Sequence, residues 1–285
     1  MPAISERRVR VEEGWGRRDG SEILLDDGRR IAESEAVYLA PVEPGKIVAV
    51  HLSYRSRIDE YRARVPDAPS YFLKPSSSLA GHRGVIRRPA GSRYLNYEGE
   101  LAVVVGRTMK GVPEHEALAY VAGYACANDV GLHDFRHIDR GSMLRVKGQD
   151  GFLPLGPELV PASELDPSGF TLRTYLNGEV VQEATAADLL FPVAYQLADL
   201  CRLITLEPGD VLLTGTPANS RPMEPGDVVE VEVEGLGRLS STVAEAGVEL
   251  TGPGALPNVT ADTIHVALAV SEDEAARLAA RADVA

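Results

Sequence analysis

Three acidic residues in two short segments are the side chains of this sequence best suited to hold a metal ion. Glu98 and Glu100 lie two positions apart in a segment that continues into a run of apolar, mostly branched residues and is therefore predicted to be a strand. Because successive side chains of a strand point to opposite faces, both carboxylates share one face, and Gly99 leaves space between them. Asp129 follows an apolar segment that we predict to be the end of a helix.

The chemistry of such a site follows from its donor atoms. Two carboxylates on one face of a strand repel each other unless a cation lies between them. Three carboxylates without a histidine or cysteine form an all-oxygen site, which suits Mg²⁺ or Mn²⁺ better than zinc. The alternative is a solvated strand edge and an unrelated aspartate in a turn, since most carboxylates of folded proteins are exposed.

Composition limits the partners and the compartment of the protein. The 285 residues include 29 basic and 42 acidic ones, a net charge of −13, which argues against nucleic acid or an anionic membrane as the main partner. Cys126 and Cys201 lie in apolar contexts typical of helices, so we expect buried free thiols in a reducing compartment. No apolar run has the length of a membrane span, and the N-terminus lacks the apolar core of a signal peptide. We therefore expect a cytoplasmic enzyme.

The elements that must position the acidic residues are mostly strands. Residues 7–42 have the alternation and turns of a small β-rich module, and Val229, Val231 and Val233 alternate with glutamates as in a half-exposed antiparallel strand. Helices are predicted over residues 113–125 and 193–204, and a tail over 251–285 ends in an alanine-rich helix from residue 272 to 282. The pattern predicts an α+β protein dominated by β-structure.

Six motifs, in this order and spacing, resemble the fumarylacetoacetate hydrolase family, and in particular its isomerase and decarboxylase members of homoprotocatechuate breakdown. The motifs are Tyr71-Phe72-Leu73-Lys74-Pro75, Tyr97-Glu98-Gly99-Glu100-Leu101, Asn128-Asp129-Val130, Lys147 within Arg145–Asp150, Leu176-Asn177-Gly178-Glu179 and Leu213-Thr214-Gly215-Thr216-Pro217. The resemblance covers roughly residues 46–245. It implies a mixed β-sandwich roll of the family's C-terminal-domain type and a homodimer. We expect an N-terminal module over 1–45, a catalytic domain over 46–250 and a tail over 251–285.

The resemblance also implies roles for individual residues. Glu98, Glu100 and Asp129 match the ligands of one divalent metal ion per chain, Mg²⁺ or Mn²⁺, and Lys147 matches the lysine beside the metal. That lysine either stays cationic and stabilises negative charge or loses a proton and acts as a base. Two further segments match: the turn Thr214-Gly215-Thr216 is expected to bind a substrate carboxylate, and the segment from Lys74 to Ser78 is expected to pack beneath the site.

The sequence departs from the family pattern at two places near the site. Many hydrolytic members carry a histidine and, three residues later, a glutamate that together activate water; here Arg57 and Glu60 occupy those positions. Arginine is not deprotonated in proteins and cannot accept a proton from water, but it can bind a carboxylate through two hydrogen bonds. The alternative for Arg57 is a solvated charge on a loop. Where the family often has arginine and, three residues on, glutamine, this chain has His133 and Arg136.

These departures favour a dicarboxylate substrate, and they argue against hydrolysis as the reaction. Arg57 or Arg136 would hold its distal carboxylate, whereas His133 is either a supporting group or a packed loop histidine. The sequence thus predicts a Mg²⁺- or Mn²⁺-dependent isomerase or decarboxylase of 2-oxo or 2-hydroxy dienedioates from aromatic-compound catabolism, with Lys147 and Glu60 as catalytic residues. The alternatives are a hydrolase of acylpyruvate or fumarylacetoacetate-type diketo acids, an oxaloacetate decarboxylase, or a metal-binding module without turnover.

Overall fold

The N-terminal part of the chain forms a separate small sheet in the computed structural model, which describes residues 4–139, 141–247, 250 and 253–282. Its strands are β1 (Val9–Val11), β2 (Gly14–Asp19), β3 (Glu22–Leu25), β4 (Arg30–Ala32) and β5 (Tyr38–Leu39). They lie in the antiparallel order β4-β3-β2-β1-β5 around a small apolar cluster of their own. The β-rich N-terminal module is therefore present, whereas the proposed domain boundaries at residues 45 and 250 stay predictions.

Two further sheets and one two-stranded pair make up the rest of the described β-structure. In chain order the strands are β6 (Ile47–His51), β7 (Ser70–Lys74), β8 (Leu79–Ala80), β9 (Gly84–Arg88), β10 (Leu95–Asn96), β11 (Gly99–Val105), β12 (Val121–Asn128), β13 (Gly131–Leu132), β14 (Leu153–Pro161), β15 (Thr171–Leu176), β16 (Glu179–Thr185), β17 (Val211–Leu213), β18 (Val228–Val233) and β19 (Gly237–Glu245). One sheet has the order β7-β6-β17-β11-β12-β14-β8 and the other β16-β15-β18-β19-β9, while β10 pairs with β13. The β-dominated α+β class is confirmed.

Strand β11 lies at the centre of the seven-stranded sheet and is buried on both faces. Leu101 and Val103 pack on one side with Val231 of the facing sheet, and Ala102 and Val104 pack on the other with a second apolar cluster. A strand enclosed in this way reads as a continuous apolar run, which is the pattern that follows Glu100 in the sequence. Packing between the two sheets therefore fixes the position of Glu100, the carboxylate that β11 carries.

The helices are short and lie around the sheets. They are α1 (Arg55–Tyr61), α2 (Glu114–Ala117), α3 (Arg136–Asp139), α4 (Leu144–Lys147), α5 (Val193–Leu203), α6 (Ala261–Leu268) and α7 (Glu272–Ala282). The predicted helices over residues 193–204 and 272–282 are confirmed, and the tail also contains α6. Within the described ranges, no helix combines the length and the apolar character that a membrane crossing requires.

The helix predicted over residues 113–125 is wrong. Only α2 and one further short turn are helical there, and from Val121 the chain is strand β12, whose eight residues are all buried. A side chain at Gly123 would place its Cβ 2.2 Å from the carbonyl oxygen of Val160, so the small residues of this segment serve close packing between strands. Asp129 consequently follows a strand, and Cys126 lies in a sheet; both Cys126 and Cys201 are buried free thiols, as predicted.

Candidate active site

The three carboxylates predicted as metal ligands meet at a cavity of about 340 Å³. Each of Glu98, Glu100 and Asp129 is at most 8% exposed, and one oxygen from each lies within 4.8 Å of the others. The residues that line the cavity are Val50, His51, Leu52, Arg57, Tyr61, Phe72, Glu98, Glu100, Asp129, His133, Arg136, Gly141, Met143, Lys147, Thr216, Asp262 and Val266. The alternative of a solvated strand edge and an unrelated aspartate is therefore wrong.

Pairing between β11 and β12 brings the two acidic segments together. The strands are antiparallel, and Gly99 lies opposite Asn128, so Glu98 and Asp129 leave the sheet side by side. The backbone N–H of Asp129 donates to the carbonyl oxygen of Glu98 at 2.8 Å, and the N–H of Glu98 donates to the Asn128 side-chain oxygen at 2.8 Å. The relative position of Glu98 and Asp129 is thus determined by backbone geometry rather than by flexible side chains.

Two buried lysines neutralise part of this acidic cluster. Lys147 Nζ donates to Glu98 Oε2 at 2.7 Å and to the backbone oxygen of Asp129 at 2.6 Å. Lys74 Nζ donates to Asp129 Oδ1 at 2.5 Å and to the backbone oxygens of Lys147 and Phe152. Three acceptors match the three N–H bonds of an ammonium group and favour its charged form, whereas burial acts in the opposite direction and lowers the Lys74 pKa below its usual value. The segment that begins at Lys74 was expected beneath the site, and Lys74 in fact contacts a predicted ligand directly.

The charges around the cluster shift the pKa values of its members in opposite directions. Burial favours the protonated form of Asp129, but Lys147 and Lys74 outweigh it and hold the Asp129 pKa below its usual range. Burial would lower the pKa of Lys147, but Asp129 and Glu98 raise it instead, so this lysine is cationic in the metal-free protein. Burial and the neighbouring charges of Asp129 and Glu98 raise the pKa of Glu100 well above its usual value.

This donor set fits a hard divalent cation. The cluster offers three carboxylate oxygens, and among the residues described no histidine or cysteine belongs to it, which is the ligand preference of Mg²⁺ and Mn²⁺. The raised pKa of Glu100 marks a carboxylate whose negative charge is costly without a nearby cation. A divalent ion would remove that cost, so Glu98, Glu100 and Asp129 are the residues that would hold it.

Helix α1 carries the two residues that depart from the hydrolytic pattern. Arg57 is 4% exposed, so the alternative of a solvated loop charge is wrong. Its guanidinium contacts Glu60 Oε2 at 2.8 Å and Glu98 Oε1 at 3.4 Å, and it lies over the ring of Tyr61. Glu60 also accepts a hydrogen bond from Arg221 at 2.8 Å. The carboxylate of Glu60 is thus held by two arginines, while Arg57 itself lines the cavity.

The predicted substrate-binding turn uses most of its polar groups within the protein. The Thr214 hydroxyl donates to the Leu101 carbonyl oxygen at 3.0 Å, and the N–H of Gly215 donates to Glu100 Oε2 at 2.7 Å. Gly215 has φ = +96°, and a Cβ there would lie 1.9 Å from Ser53 Oγ, so only glycine fits. Thr216 is the member of this turn that lines the cavity, whereas the turn as a whole positions Glu100.

The second departure places two basic residues on the cavity wall. Arg136 lines the cavity and forms an ion pair with Asp262, Nε to Oδ2 at 3.2 Å. His133 also lines it and is 2% exposed, and among the described residues neither ring nitrogen has a hydrogen-bond partner. Burial, with the charges of Arg136 and Lys147, lowers the His133 pKa well below its usual value, so this imidazole is neutral.

Several residues of the site were not found from the sequence. His51, Asp262 and Val266 line the cavity, and Gln182 connects two parts of the site without lining it. The Gln182 side chain accepts a hydrogen bond from the N–H of Gly99 and donates to Thr216 Oγ1, both at 3.1 Å. The alternation of β16 indicates that Gln182 points inwards, and an inward glutamine in a strand is a signal that could have found it. Asp262 and Val266 lie in the tail, for which no local pattern indicates a position.

Comparison with known proteins finds a matching family and similar sequences. The family model described as the C-terminal part of fumarylacetoacetate (FAA) hydrolase matches residues 46–244. A protein of Archaeoglobus fulgidus is 40% identical over 236 residues, which are 83% of this chain and 93% of that protein.

Two further similar proteins have names that describe an activity. A 4-hydroxyphenylacetate degradation bifunctional isomerase/decarboxylase of Escherichia coli is 38% identical over 218 residues, 76% of this chain. The match spans about half, 51%, of the length of that bifunctional protein. The crystal structure of 5-carboxymethyl-2-hydroxymuconate delta-isomerase from Mycobacterium smegmatis superposes with a TM-score of 0.75 at 35% identity, and it covers 86% of this chain and 100% of that one.

Proposed function

The chain belongs to the fumarylacetoacetate hydrolase family, and from this premise we propose that it is a Mg²⁺- or Mn²⁺-dependent isomerase or decarboxylase of 2-oxo or 2-hydroxy dienedioates. The observation that carries the proposal is the meeting of Glu98, Glu100 and Asp129 in one cavity, within 4.8 Å of one another and beside Lys147. The names of the Escherichia coli and Mycobacterium smegmatis proteins support the reaction class.

The cavity residues supply the parts that such a reaction needs. A bound Mg²⁺ or Mn²⁺ would act as a Lewis acid that polarises a carbonyl group of the substrate and lowers the cost of negative charge on its oxygen. Lys147 is cationic beside the carboxylates, so it adds a fixed positive charge where that negative charge develops. His133 is a neutral imidazole on the wall, with one ring nitrogen able to donate and the other to accept a hydrogen bond.

The environment of Glu60 supports reactions in which water is not a reactant. A general base must have a free lone pair and must reach the proton it removes. Glu60 accepts hydrogen bonds from Arg57 and Arg221 and, at 3.1 Å, from the backbone N–H of Asn219. These three donors occupy the carboxylate of Glu60, and Glu60 is not among the residues that line the cavity. Tautomerisation and decarboxylation instead require stabilisation of an enolate and protonation at carbon.

The proposal is tested by the fate of solvent atoms. The protein loaded with Mg²⁺ is incubated with oxaloacetate, an acylpyruvate and a hydroxymuconate-type dienedioate, once in D₂O and once in H₂¹⁸O, and the products are identified by NMR and mass spectrometry. We expect deuterium next to the carbonyl group from the dienedioate or from oxaloacetate, and slow or no cleavage of the acylpyruvate. Rapid cleavage of the acylpyruvate with ¹⁸O in the released acid would contradict the proposal and favour a hydrolase.

Two controls separate enzyme from binding module. The Glu100→Ala variant should lose turnover and metal binding together, since two carboxylates do not compete well with the hydration shell of Mg²⁺. A parent protein that binds Mn²⁺ but converts none of the three substrates would support a metal-binding module instead.

The homodimer and the cytoplasmic location stay predictions. Sedimentation equilibrium would test whether the protein is a homodimer.

A further inference from the structure

Helix α6, in the C-terminal tail, forms part of the wall of the cavity that contains the three carboxylates. Asp262 and Val266 of this helix line the cavity. The match to the family model ends at residue 244, so both side chains come from a segment outside the part of the chain that the family model describes. Helix α6 therefore contributes a part of the wall that the family model does not describe.

Helix α6 is held at the cavity by buried contacts. The Asn96 side-chain N–H donates to the carbonyl oxygen of Ala267 at 2.9 Å, and the hydroxyl of Tyr61 on α1 donates to the carbonyl oxygen of Val266 at 3.0 Å. Ile264 and Ala267 are 1% and 0% exposed. A helix fixed by apolar burial and by hydrogen bonds to its backbone keeps the backbone of Asp262 at the cavity.

Among the described residues, three cations line the cavity, and they differ in whether they contact the metal cluster. Arg57 and Lys147 both contact Glu98, which belongs to the metal cluster. Arg136 contacts Asp262, and across the described ranges this is the one acidic side chain it pairs with. Arg136 is thus the cation of the wall whose partner lies outside the metal cluster, and it is the cation available to a second anionic group of the substrate.

We infer that Asp262 is a specificity-determining residue, which occupies the anion position beside Arg136 and is displaced by the second carboxylate of a dicarboxylate substrate. The inference rests on the proposed function and deepens it, because it names Arg136 and Asp262 as the residues that distinguish a dicarboxylate from a monocarboxylate substrate. The side chains of Arg136 and Asp262 are 26% and 60% exposed. Such a solvent-screened pair is weak and can be exchanged for another anion. A substrate that ends in an alkyl group leaves the pair intact.

The experiment compares two keto acids that differ only at the far end. The full-length protein loaded with Mn²⁺ is titrated calorimetrically with 2-oxoadipate and with 2-oxohexanoate, in which a methyl group replaces the second carboxyl group. Asp262→Asn should tighten the binding of 2-oxoadipate about two- to fivefold, the range that corresponds to an exposed ion pair, and should leave 2-oxohexanoate unchanged. Asp273→Asn, at an exposed site in the first turn of α7, is the matched control and should change neither.

A double-variant cycle shows whether Asp262 acts through Arg136. Arg136→Gln should weaken the binding of 2-oxoadipate, and adding Asp262→Asn in that background should have no further effect. An equal change for both keto acids, no change for either, or an undiminished effect in the Arg136→Gln background would overturn the inference. If the parent protein loaded with Mn²⁺ binds neither keto acid, the proposed function fails together with the inference. If it binds both without a selective response, only the inference fails.

Discussion

Replacing Glu100 by glutamine should stabilise the metal-free protein at neutral and alkaline pH while it removes the affinity for Mg²⁺ or Mn²⁺. Burial, with the charges of Asp129 and Glu98, raises the Glu100 pKa well above its usual value, whereas the unfolded chain loses this proton near the ordinary pKa of about 4.3. Between these two values the folded protein binds more protons than the unfolded chain. The free energy of unfolding therefore falls as the pH rises through that window.

The magnitude follows from one proton. A difference of one bound proton changes the free energy of unfolding by about 1.4 kcal/mol per pH unit at most, and Glu100→Gln removes this term because an amide does not titrate. In the parent, the Glu100 carboxylate accepts a hydrogen bond from the N–H of Gly215 at 2.7 Å, and the side-chain carbonyl of a glutamine can accept the same bond. The amide N–H can donate to a neighbouring carboxylate of the cluster, so the substitution leaves few unsatisfied groups.

Urea unfolding in EDTA from pH 5 to pH 9 measures the effect. The stability difference between the Glu100→Gln variant and the parent should grow with pH from about pH 5, at the slope given by one proton. Glu272→Gln, at an exposed position in the first turn of α7, is the control and should follow the parent. Added Mn²⁺ should raise the unfolding midpoint of the parent and the control only. Parallel pH profiles for the Glu100→Gln variant and the parent in EDTA would refute the reasoning.

Three further substitutions test other parts of the site. Lys74→Met should lower the free energy of unfolding by about 3 kcal/mol in urea titrations, because it leaves Asp129 buried beside one lysine instead of two; a loss below about 1 kcal/mol would contradict this. Arg57→Lys should raise KM for a dienedioate about tenfold or more if Arg57 binds its carboxylate, and Arg57→His should gain acylpyruvate hydrolysis; unchanged kinetics in both would make Arg57 a bystander. Tyr61→Phe should lower the free energy of unfolding by about 1 kcal/mol and speed amide hydrogen exchange in α1, because the hydrogen bond to the Val266 carbonyl oxygen is lost. Unchanged amide exchange would show that this hydrogen bond does not hold α1.

The elements that depend on local patterns could be predicted from the sequence. The alternation of Val229, Val231 and Val233 gives strand β18, whose odd positions are buried, and helical spacing after Pro192 gives α5. Glu98 directly precedes the central strand β11, and Glu100 lies in it before its apolar run. In each case the hydrophobic period of the segment matches the environment that the fold provides.

Contacts between distant segments could not be predicted. The segment before Asp129 contains alanines, which favour a helix in isolation, but pairing with β11 and β14 makes it strand β12. The contact of Lys74 with Asp129 spans 55 residues, and that of Arg136 with Asp262 spans 126. Only the folded sheets bring such residues together. Motif order therefore indicated the carboxylates and the Lys74 segment beneath the site, but neither the contact of Lys74 with Asp129 nor the wall formed by the tail.

The two sides of the cavity are built from different parts of the chain, so substitutions on the two sides have different effects on the protein. The carboxylate floor depends on β11, β12 and the packing of two sheets, where most substitutions disturb folding. The wall from α6 is a short helix near the end of the chain, and Asp262 and Val266 are two of its eight residues. Substitutions there alter which molecules fit while the reactive groups keep their positions. Under the specificity role inferred for Asp262, the cavity-facing positions of α6 can diverge between related proteins while the buried contacts of the helix and the catalytic scaffold are kept.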